Sequence, residues 1–156
     1  MYIEFKRLPE VDKADIVELM NHALVRQQMP LLGESFDDAD YEEFMAAKER
    51  LWEEHGYGPW AIVVDGQFAG WGGLQPEGND TDLGLVLHPR FWGTGGMLYE
   101  KIIKRAFGEM GFESVIILLP ASRTRVRGLL RLGFEGEGEI ELEGERFIRY
   151  RLQAPG

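Results

Sequence analysis

Hydrophobic residues recur along this chain at two different spacings, and each spacing predicts its own kind of secondary structure. Alternation of apolar and polar positions, as at Leu83, Leu85 and Leu87, predicts half-buried strands. The continuous apolar run at 115–119 is typical of a strand buried on both faces, as in a parallel pair. Strands are predicted over 2–8, 60–64, 67–74, 83–87, 115–119, 134–142 and 146–152, with tight turns at Asp65-Gly66 and Glu143-Gly144.

Apolar residues spaced three and four positions apart predict the helices. Ile16, Leu19 and Met20 form such a stripe after Asp12, a residue suited to capping a helix N-terminus. Further helices are predicted from about 40 to 56, from 94 to 110 and from 122 to 132, the last with Val126, Leu129 and Leu130 facing inward. The order β-α-α-β-β-β-α-β-α-β-β, with no repeat or linker, predicts a single domain over 1–156 of mixed α/β (α+β) class.

The composition excludes several kinds of site and partner. The chain has no cysteine and three widely spaced histidines, so we expect no metal site. A net charge of -10 has the wrong sign for a nucleic-acid-binding protein. No apolar run reaches the roughly 18 residues that span a membrane, and the N-terminus has no signal-peptide pattern. We therefore expect a cytoplasmic protein with no nucleic-acid partner and no membrane association.

Candidate chemistry is concentrated in residues 83–97, which run from a strand through a Gly-rich turn into a helix (LGLVLHPRFWGTGGM). Small residues leave backbone amides accessible at the positive end of a helix dipole, an arrangement that binds phosphate groups. Neither the P-loop pattern nor the dinucleotide-binding spacing G-x-G-x-x-G is present. The turn alone leaves anion binding and a purely structural turn equally open.

The chain around this turn resembles the GNAT superfamily of acyl-CoA-dependent N-acetyltransferases, most closely the branch that acetylates ribosomal-protein N-termini and polyamines. The resemblance covers about 2–152 and is strongest over 82–134, and the stretches GYGPWAIV at 56–63 and HPRFWGTG at 88–95 look like signatures of that branch. It implies a mixed, mostly antiparallel sheet with a central parallel β-α-β unit for CoA and helices on both faces. The implied reaction is direct attack of a primary amine, either a small cationic amine or a peptide N-terminus, on the thioester of acetyl-CoA. A homodimer is compatible with the resemblance.

By the same resemblance, a defined set of residues would bind CoA. Read literally, the family pattern Q/R-x-x-G-x-G/A falls on Arg90, Gly93 and Gly95; counted from the proline that ends the strand, it places Gly95 at the centre. In that second register, Met97 stands where Gly or Ala is expected, so its side chain either crowds the pyrophosphate or packs under the helix. Strand backbone would pair with the pantetheine arm, and helix amides would hold the pyrophosphate. The implied cofactor-binding residues are Leu85, Val86, Leu87, Trp92, Gly93, Thr94, Gly95, Gly96, Met97, Leu98, Ser122 and Arg125.

Two residues are candidates for acid–base catalysis, and strand periodicity puts both on one face with Val86. The resemblance implies an acidic base on this strand, which favours Asp82 acting through a water, and a polar residue at a strand entrance is the alternative. His88 has an intrinsic pKa of about 6.5, suited to proton transfer, but its position before Pro89 also fits a structural role.

The resemblance also implies departures from the family's chemistry. Leu129 occupies the place of a tyrosine that protonates the leaving thiolate in many members, and Tyr99 has the spacing of a core residue. The acidic segment 34–54 would favour a cationic acceptor, unless it is only a solvated helix face. An acyl-CoA-binding regulatory module with little turnover is the alternative function, favoured by Leu129, Ser122 and Met97.

Overall fold

A seven-stranded sheet organises the computed structural model, which describes residues 1–155. The strand order is β1-β2-β3-β4-β5-β7-β6, and β4 and β5 form the parallel pair between antiparallel neighbours. This arrangement confirms the predicted mixed, mostly antiparallel sheet. The strands are β1 (Ile3–Lys6), β2 (Pro59–Val64), β3 (Gln67–Glu77), β4 (Asp80–Leu87), β5 (Ser114–Pro120), β6 (Glu135–Leu142) and β7 (Glu145–Gln153).

Helices cover both faces of the sheet. They are α1 (Lys13–Asn21), α2 (Ala23–Arg26), α3 (Asp38–His55), α4 (Gly95–Lys104) and α5 (Arg127–Arg131), with 3-10 turns at Leu8–Glu10 and Pro89–Thr94. Leu83 packs with Ile102 of α4 on one face, whereas Trp71 packs with Ile16 of α1 on the other. Because side chains alternate along a strand, the two faces of the sheet serve two different cores.

Two predicted helices differ from the observed ones. The helix expected over 122–132 begins only at Arg127, because the preceding segment forms turn bonds such as the Arg123 amide to the Pro120 carbonyl (2.9 Å). Ser and Thr in that segment compete with helical hydrogen bonding, which favours turns. Leu130, expected to face inward, is 50% exposed. The helix expected over 94–110 ends as α4 at Lys104 and continues as a π-helical turn over Arg105–Glu109.

The parallel pair β4–β5 is closed at one end and open at the other. Its register places Asp82 opposite Ile116, near the start of both strands. At this closed end the guanidinium of Arg151 on β7 donates to Asp80 Oδ1 (2.8 Å) and Ser114 Oγ (2.9 Å). One side chain therefore links β4, β5 and β7 where the two parallel strands meet.

The strand β6 forms one edge of the sheet and is polar and largely exposed along its length. Its glutamates form ion pairs with arginines of β7, including Arg149 Nε to Glu137 Oε1 (3.1 Å) and a contact between Arg146 and Glu139. The opposite edge, β1, is four residues long. Both edges of the sheet are therefore either short or charged.

Candidate active site

A cleft of about 700 Å³ opens where β4 and β5 separate. Its walls are residues 83–87 of β4 and 117–120 of β5, with Gly95 and Tyr99 of α4 at one side. The loop residues 28–32 and the turn residues 123–125 close the remaining sides. The cleft therefore joins the Gly-rich helix start to the loop that follows α2, and most of its lining side chains are apolar.

The first turn of α4 presents glycines that the protein's own packing does not require. A Cβ atom placed on Gly93 or Gly96 would meet nothing within 4 Å, and one on Gly95 would meet only Leu87 Cδ1 at 3.9 Å. Gly95 has ordinary helical backbone angles (φ -55°), and none of the three has a positive φ. Open space in front of unstrained glycines fits a site reserved for the close approach of a ligand.

The helix amides at this turn are partly engaged by the protein itself. The amide of Gly95 donates to the Trp92 carbonyl, so the amides expected to hold a phosphate from 93 to 98 are not all free. The first amides of an α-helix lack intrahelical acceptors, and in α4, whose N-cap is Thr94, these include Gly96 and Met97. Thr94 Oγ1 donates to the Phe91 carbonyl (2.6 Å), which holds the preceding turn closed.

Three side chains around this turn have distinct environments. Trp92 lines the cleft, is 46% exposed, and donates its indole N–H to the Leu87 carbonyl (2.8 Å). Met97 is 45% exposed and does not pack under the helix, whereas Leu98 is fully buried against β4. The structure therefore brings Leu85, Val86, Leu87, Trp92 and Gly95 to the cleft wall.

The turn after β5 contributes positive charge to the cleft. Arg123 and Arg125 both line it, whereas Ser122 is exposed and lines a separate, smaller pocket beside Ala121 and Arg146. Arg125 was expected at the cofactor site and lies at the cleft. The expected pairing of Ser122 with the cofactor is not supported by its position, because the turn at 121–126 directs it to the neighbouring pocket.

Asp82 is a buried carboxylate next to the cleft, one residue before the lining residues Leu83 and Gly84. Its Oδ2 accepts a hydrogen bond from Gln75 Nε2 (3.4 Å), while Oδ1 is buried without a protein partner. Burial raises the pKa of Asp82 to about 6, and the negative charge of Glu77 adds to this rise. The hydrogen bond from Gln75 and the charge of Lys48 act in the opposite direction.

Lys48 of α3 completes a hydrogen-bonded series with Gln75 and Asp82. Its Nζ donates to Gln75 Oε1 (3.0 Å) and lies 5.1 Å from the Trp71 ring centroid and 5.6 Å from that of Phe44. Burial lowers the pKa of Lys48, and the charge of Asp82 partly offsets this. Sequence reasoning missed Lys48 and Gln75, because only the packing of α3 on the sheet brings them to Asp82.

His88 lies outside the cleft lining, at the N-terminus of the turn Pro89–Thr94. Its Nδ1 accepts the amide of Arg90 (3.2 Å), and its ring contacts the His22 ring edge-on at 5.0 Å between centroids. Burial, followed by the charges of Arg90 and His22, lowers the pKa of His88. These contacts support the structural interpretation of His88 rather than proton transfer.

Leu129 lies in the core, as its spacing predicts, whereas Tyr99 contacts both the core and the cleft. Leu129 is 4% exposed and packs in the core with Phe134, away from the cleft lining. Tyr99 was assigned to the core by its spacing, and it does pack against that core, but it also lines the cleft. Burial raises the pKa of Tyr99, and the neighbouring Arg123 partly offsets this.

The acidic segment 34–54 does not line the cleft. Most of its carboxylates are exposed, and several bind neighbouring groups: Lys13 contacts Asp38 (3.2 Å), Arg7 contacts Glu49 (2.7 Å), and Asp37 and Asp40 form a capping box. Most of the carboxylates in this segment therefore belong to a solvated surface and not to the cleft.

Comparison with known families identifies the fold. The family described as the acetyltransferase (GNAT) domain matches residues 3–135. The chain belongs to the GNAT acetyltransferase family. As a GNAT acetyltransferase it is an enzyme that transfers an acetyl group and uses acetyl-CoA as co-substrate. No curated protein matches the sequence.

Solved structures share the fold of this GNAT domain at low sequence identity. A GNAT-family acetyltransferase from Bacillus anthracis is 15% identical, with a TM-score of 0.74, 98% of this chain covered and 95% of the other. An acetyltransferase from Agrobacterium tumefaciens str. C58 is also 15% identical, with a TM-score of 0.78 and coverages of 97% and 91%. A chimera of the spermidine N-acetyltransferase SpeG from Vibrio cholerae and hSSAT is 11% identical, with a TM-score of 0.77 and coverages of 98% and 96%. Within residues 1–155, no helix of the GNAT domain is long and apolar enough to cross a membrane.

Proposed function

We propose that this enzyme transfers the acetyl group of acetyl-CoA to a primary amine by direct attack on the thioester. The observation that supports this most is the cleft between β4 and β5, which runs from the glycines of α4 to the loop at 28–32. Such a cleft can hold two substrates end to end, with the reacting atoms between the parting strands. Holding both substrates in one geometry makes a bimolecular transfer effectively unimolecular.

The cleft walls fit an extended acyl-CoA. The side of β4 that faces the cleft at Leu85, Val86 and Leu87 would pair its backbone with a pantetheine arm as with an added strand, except for the Leu87 carbonyl that Trp92 already binds. The pyrophosphate would lie at the first turn of α4, where Gly96 leaves open space beside helix amides. Arg125 lies at the same cleft and carries the charge that a phosphate requires.

Asp82 is the proposed base that accepts the ammonium proton of the acceptor. With a pKa raised to about 6, it is mostly ionised at neutral pH yet basic enough to accept a proton. Its Oδ1 is buried without a protein partner, so a small shift of the surrounding side chains would let it accept a hydrogen bond from one bridging water. A backbone amide at Val86 or Leu87 would polarise the thioester carbonyl as the amine attacks.

Tyr99 is the proposed proton donor to the departing thiolate. Because burial raises its pKa, its hydroxyl remains protonated at neutral pH. A thiolate leaves readily, since the pKa of a free thiol is about 8.5, so this proton transfer has a modest effect. Leu129, buried in the core, has no such part in the reaction.

The site is tested by introducing an aspartate at Gly95. A carboxylate at the start of α4 opposes a pyrophosphate by charge and by bulk, so calorimetry should show CoA affinity falling at least about tenfold. Gly108→Asp is the control, because it makes the same change outside the cleft, at an exposed glycine with open space in the π-helical turn. Equal affinities of both variants and the wild type would contradict the assignment.

Turnover on a panel of amines separates the enzyme from a CoA-binding module. Formation of an acetylated amine together with free CoA supports the proposed reaction. Tight CoA binding with no acetylated product from any amine would favour the module instead.

A further inference from the structure

The acceptor side of the cleft has an unusual balance of charge and apolar surface. Its loop wall consists of Gln28, Met29, Pro30, Leu31 and Leu32, with Val25 of α2 behind them. Within the described residues 1–155, the charged residues that line the cleft are Arg123 and Arg125, both positive, and no carboxylate lines it. A cationic group buried in these surroundings would lose its hydration without gaining a counter-ion.

One carboxylate adjoins the cleft through its chain neighbours Leu83 and Gly84, and its single charge can pair with one ammonium. Asp82 adjoins the cleft with one free oxygen, Oδ1, because Gln75 occupies the other. Lys48, hydrogen-bonded to Gln75, already places a positive charge on this side of β4. The exposed Glu77, at the end of β3, influences Asp82 but does not line the cleft.

We propose that the acceptor is an amine with a single positive charge and an apolar group, and that polyamines are discriminated against. This inference rests on the proposed function. The reacting nitrogen would lie near Asp82, and the apolar group would contact Met29, Leu31 and Leu32. A second ammonium would meet the apolar loop, and no carboxylate among the described residues lines the cleft to bind it. The similarity to a spermidine N-acetyltransferase chimera, at 11% identity, concerns the fold and does not bear on these residues.

A matched pair of amines tests the proposal directly. Hexylamine and 1,6-diaminohexane have the same carbon chain and differ by one terminal ammonium. We expect kcat/KM to be at least about tenfold higher for hexylamine, although the diamine offers two equivalent nitrogens. The same order is expected in calorimetric binding of the two amines to the protein loaded with CoA, a readout that needs no turnover.

Two variants determine whether the cleft itself causes the preference. Leu31→Glu places a carboxylate at the cleft wall, whereas Leu24→Glu adds the same charge outside the lining at a residue of similar exposure (44% and 42%). Leu31→Glu should reduce the preference for hexylamine by about fivefold or more, and Leu24→Glu should change it by less than about twofold because exposed charges are screened by salt.

The outcomes separate this inference from the proposed reaction. A wild-type preference for the diamine, no binding of either amine, or equal effects of the two glutamate variants would each overturn the inference. Tighter binding of hexylamine without acetylated product from any amine would support the inferred specificity and overturn the proposed reaction.

Discussion

At the scale of single residues, the environment of Asp82 separates its two oxygens. Gln75 donates to Oδ2, and Oδ1 is buried without a partner beside the cleft. Burial raises the pKa to about 6, so the ionised form is less stable in the folded protein than in water. The folded chain therefore binds the proton more tightly than the unfolded chain, and ionisation of Asp82 lowers stability as the pH rises from about 4 to 6.

We predict that Asp82→Asn lowers turnover at pH 7 by about tenfold or more, because the amide cannot accept the ammonium proton. In the wild type, kcat/KM should rise through an apparent pKa near 6, and this limb should be missing in the variant, which partly recovers at high pH where the amine is neutral. The variant should melt at the same or a higher temperature at pH 7, since it removes a buried charge.

Glu77→Gln provides the control for this profile. Glu77 is exposed, and its negative charge raises the pKa of Asp82. Removing that charge should shift the rise in kcat/KM to lower pH and leave the maximum kcat/KM unchanged. Wild-type turnover in Asp82→Asn at every pH would contradict a catalytic part for Asp82.

Met97→Ala has a small predicted effect on stability, because Met97 is 45% exposed. A buried methionine typically costs 2–5 kcal/mol on truncation to alanine, whereas surface changes stay within about 0.5 kcal/mol. Urea unfolding should therefore place the variant close to the wild type, and calorimetry should show equal or tighter CoA binding. A large loss of stability would show that Met97 packs under α4.

At the scale of elements, Arg151 holds the closed end of the β4–β5 pair. It contacts Asp80 (2.8 Å), Ser114 (2.9 Å) and Glu137 (2.9 Å), which lie on three different strands. The side-chain hydrogen bond from Arg151 lowers the pKa of Asp80 and of Glu137. Carboxylates with lowered pKa values stabilise the fold at neutral pH, and this contribution is lost as the pH falls through their folded-state values.

We predict that Arg151→Met lowers the melting temperature by several degrees at pH 7, given that 1 kcal/mol corresponds to about 2–4 °C in a chain of this size. The difference from the wild type should shrink as the pH falls through the lowered pKa values of Asp80 and Glu137, because protonation removes the charges that Arg151 binds. Arg146→Met, which removes an exposed ion pair of β7 with Glu139, should have a smaller effect. A constant difference across this pH range would contradict the electrostatic explanation.

Local sequence patterns predict the elements that depend on local interactions. The hairpin at Asp65-Gly66 and the cap of α3 at Gly56 follow from turn chemistry, and the structure contains both, with φ values of 49°, 81° and 75°. The start of α5 and the π-helical turn after Lys104 depend on how the chain packs, so the apolar spacing predicted longer helices than the structure has.

The candidate site also has a part that the sequence predicts and a part that depends on the packed fold. The glycines of α4 and the edge of β4 are contiguous in sequence and could be predicted from it. Lys48, Gln75 and Asp82 come from three elements, and only the packed sheet brings them together. The apolar spacing of Tyr99 is equally compatible with the core and with the cleft wall, and it has contacts with both.

At the scale of the whole molecule, the net charge of -10 is unevenly distributed. Acidic residues are dense on the exposed faces of α3 and β6, whereas Arg123 and Arg125 line the cleft. The cleft is therefore positive within an acidic protein. This distribution favours an anionic co-substrate at the cleft and does not depend on a cationic acceptor.

The charged edge strand β6 has a consequence for colloidal behaviour. Unpaired strand edges are templates for aggregation, and charged side chains are a common protection. Near pH 4.8 the net charge of the chain approaches zero, and the repulsion between molecules is lost. We predict rising light scattering and thioflavin fluorescence in this range.

Glu141→Lys on β6 should delay both more than Glu54→Lys on α3, which alters the net charge equally. The protein should then stay dispersed during storage and crystallisation near neutral pH, whereas acidification should promote association through the β6 edge of the sheet.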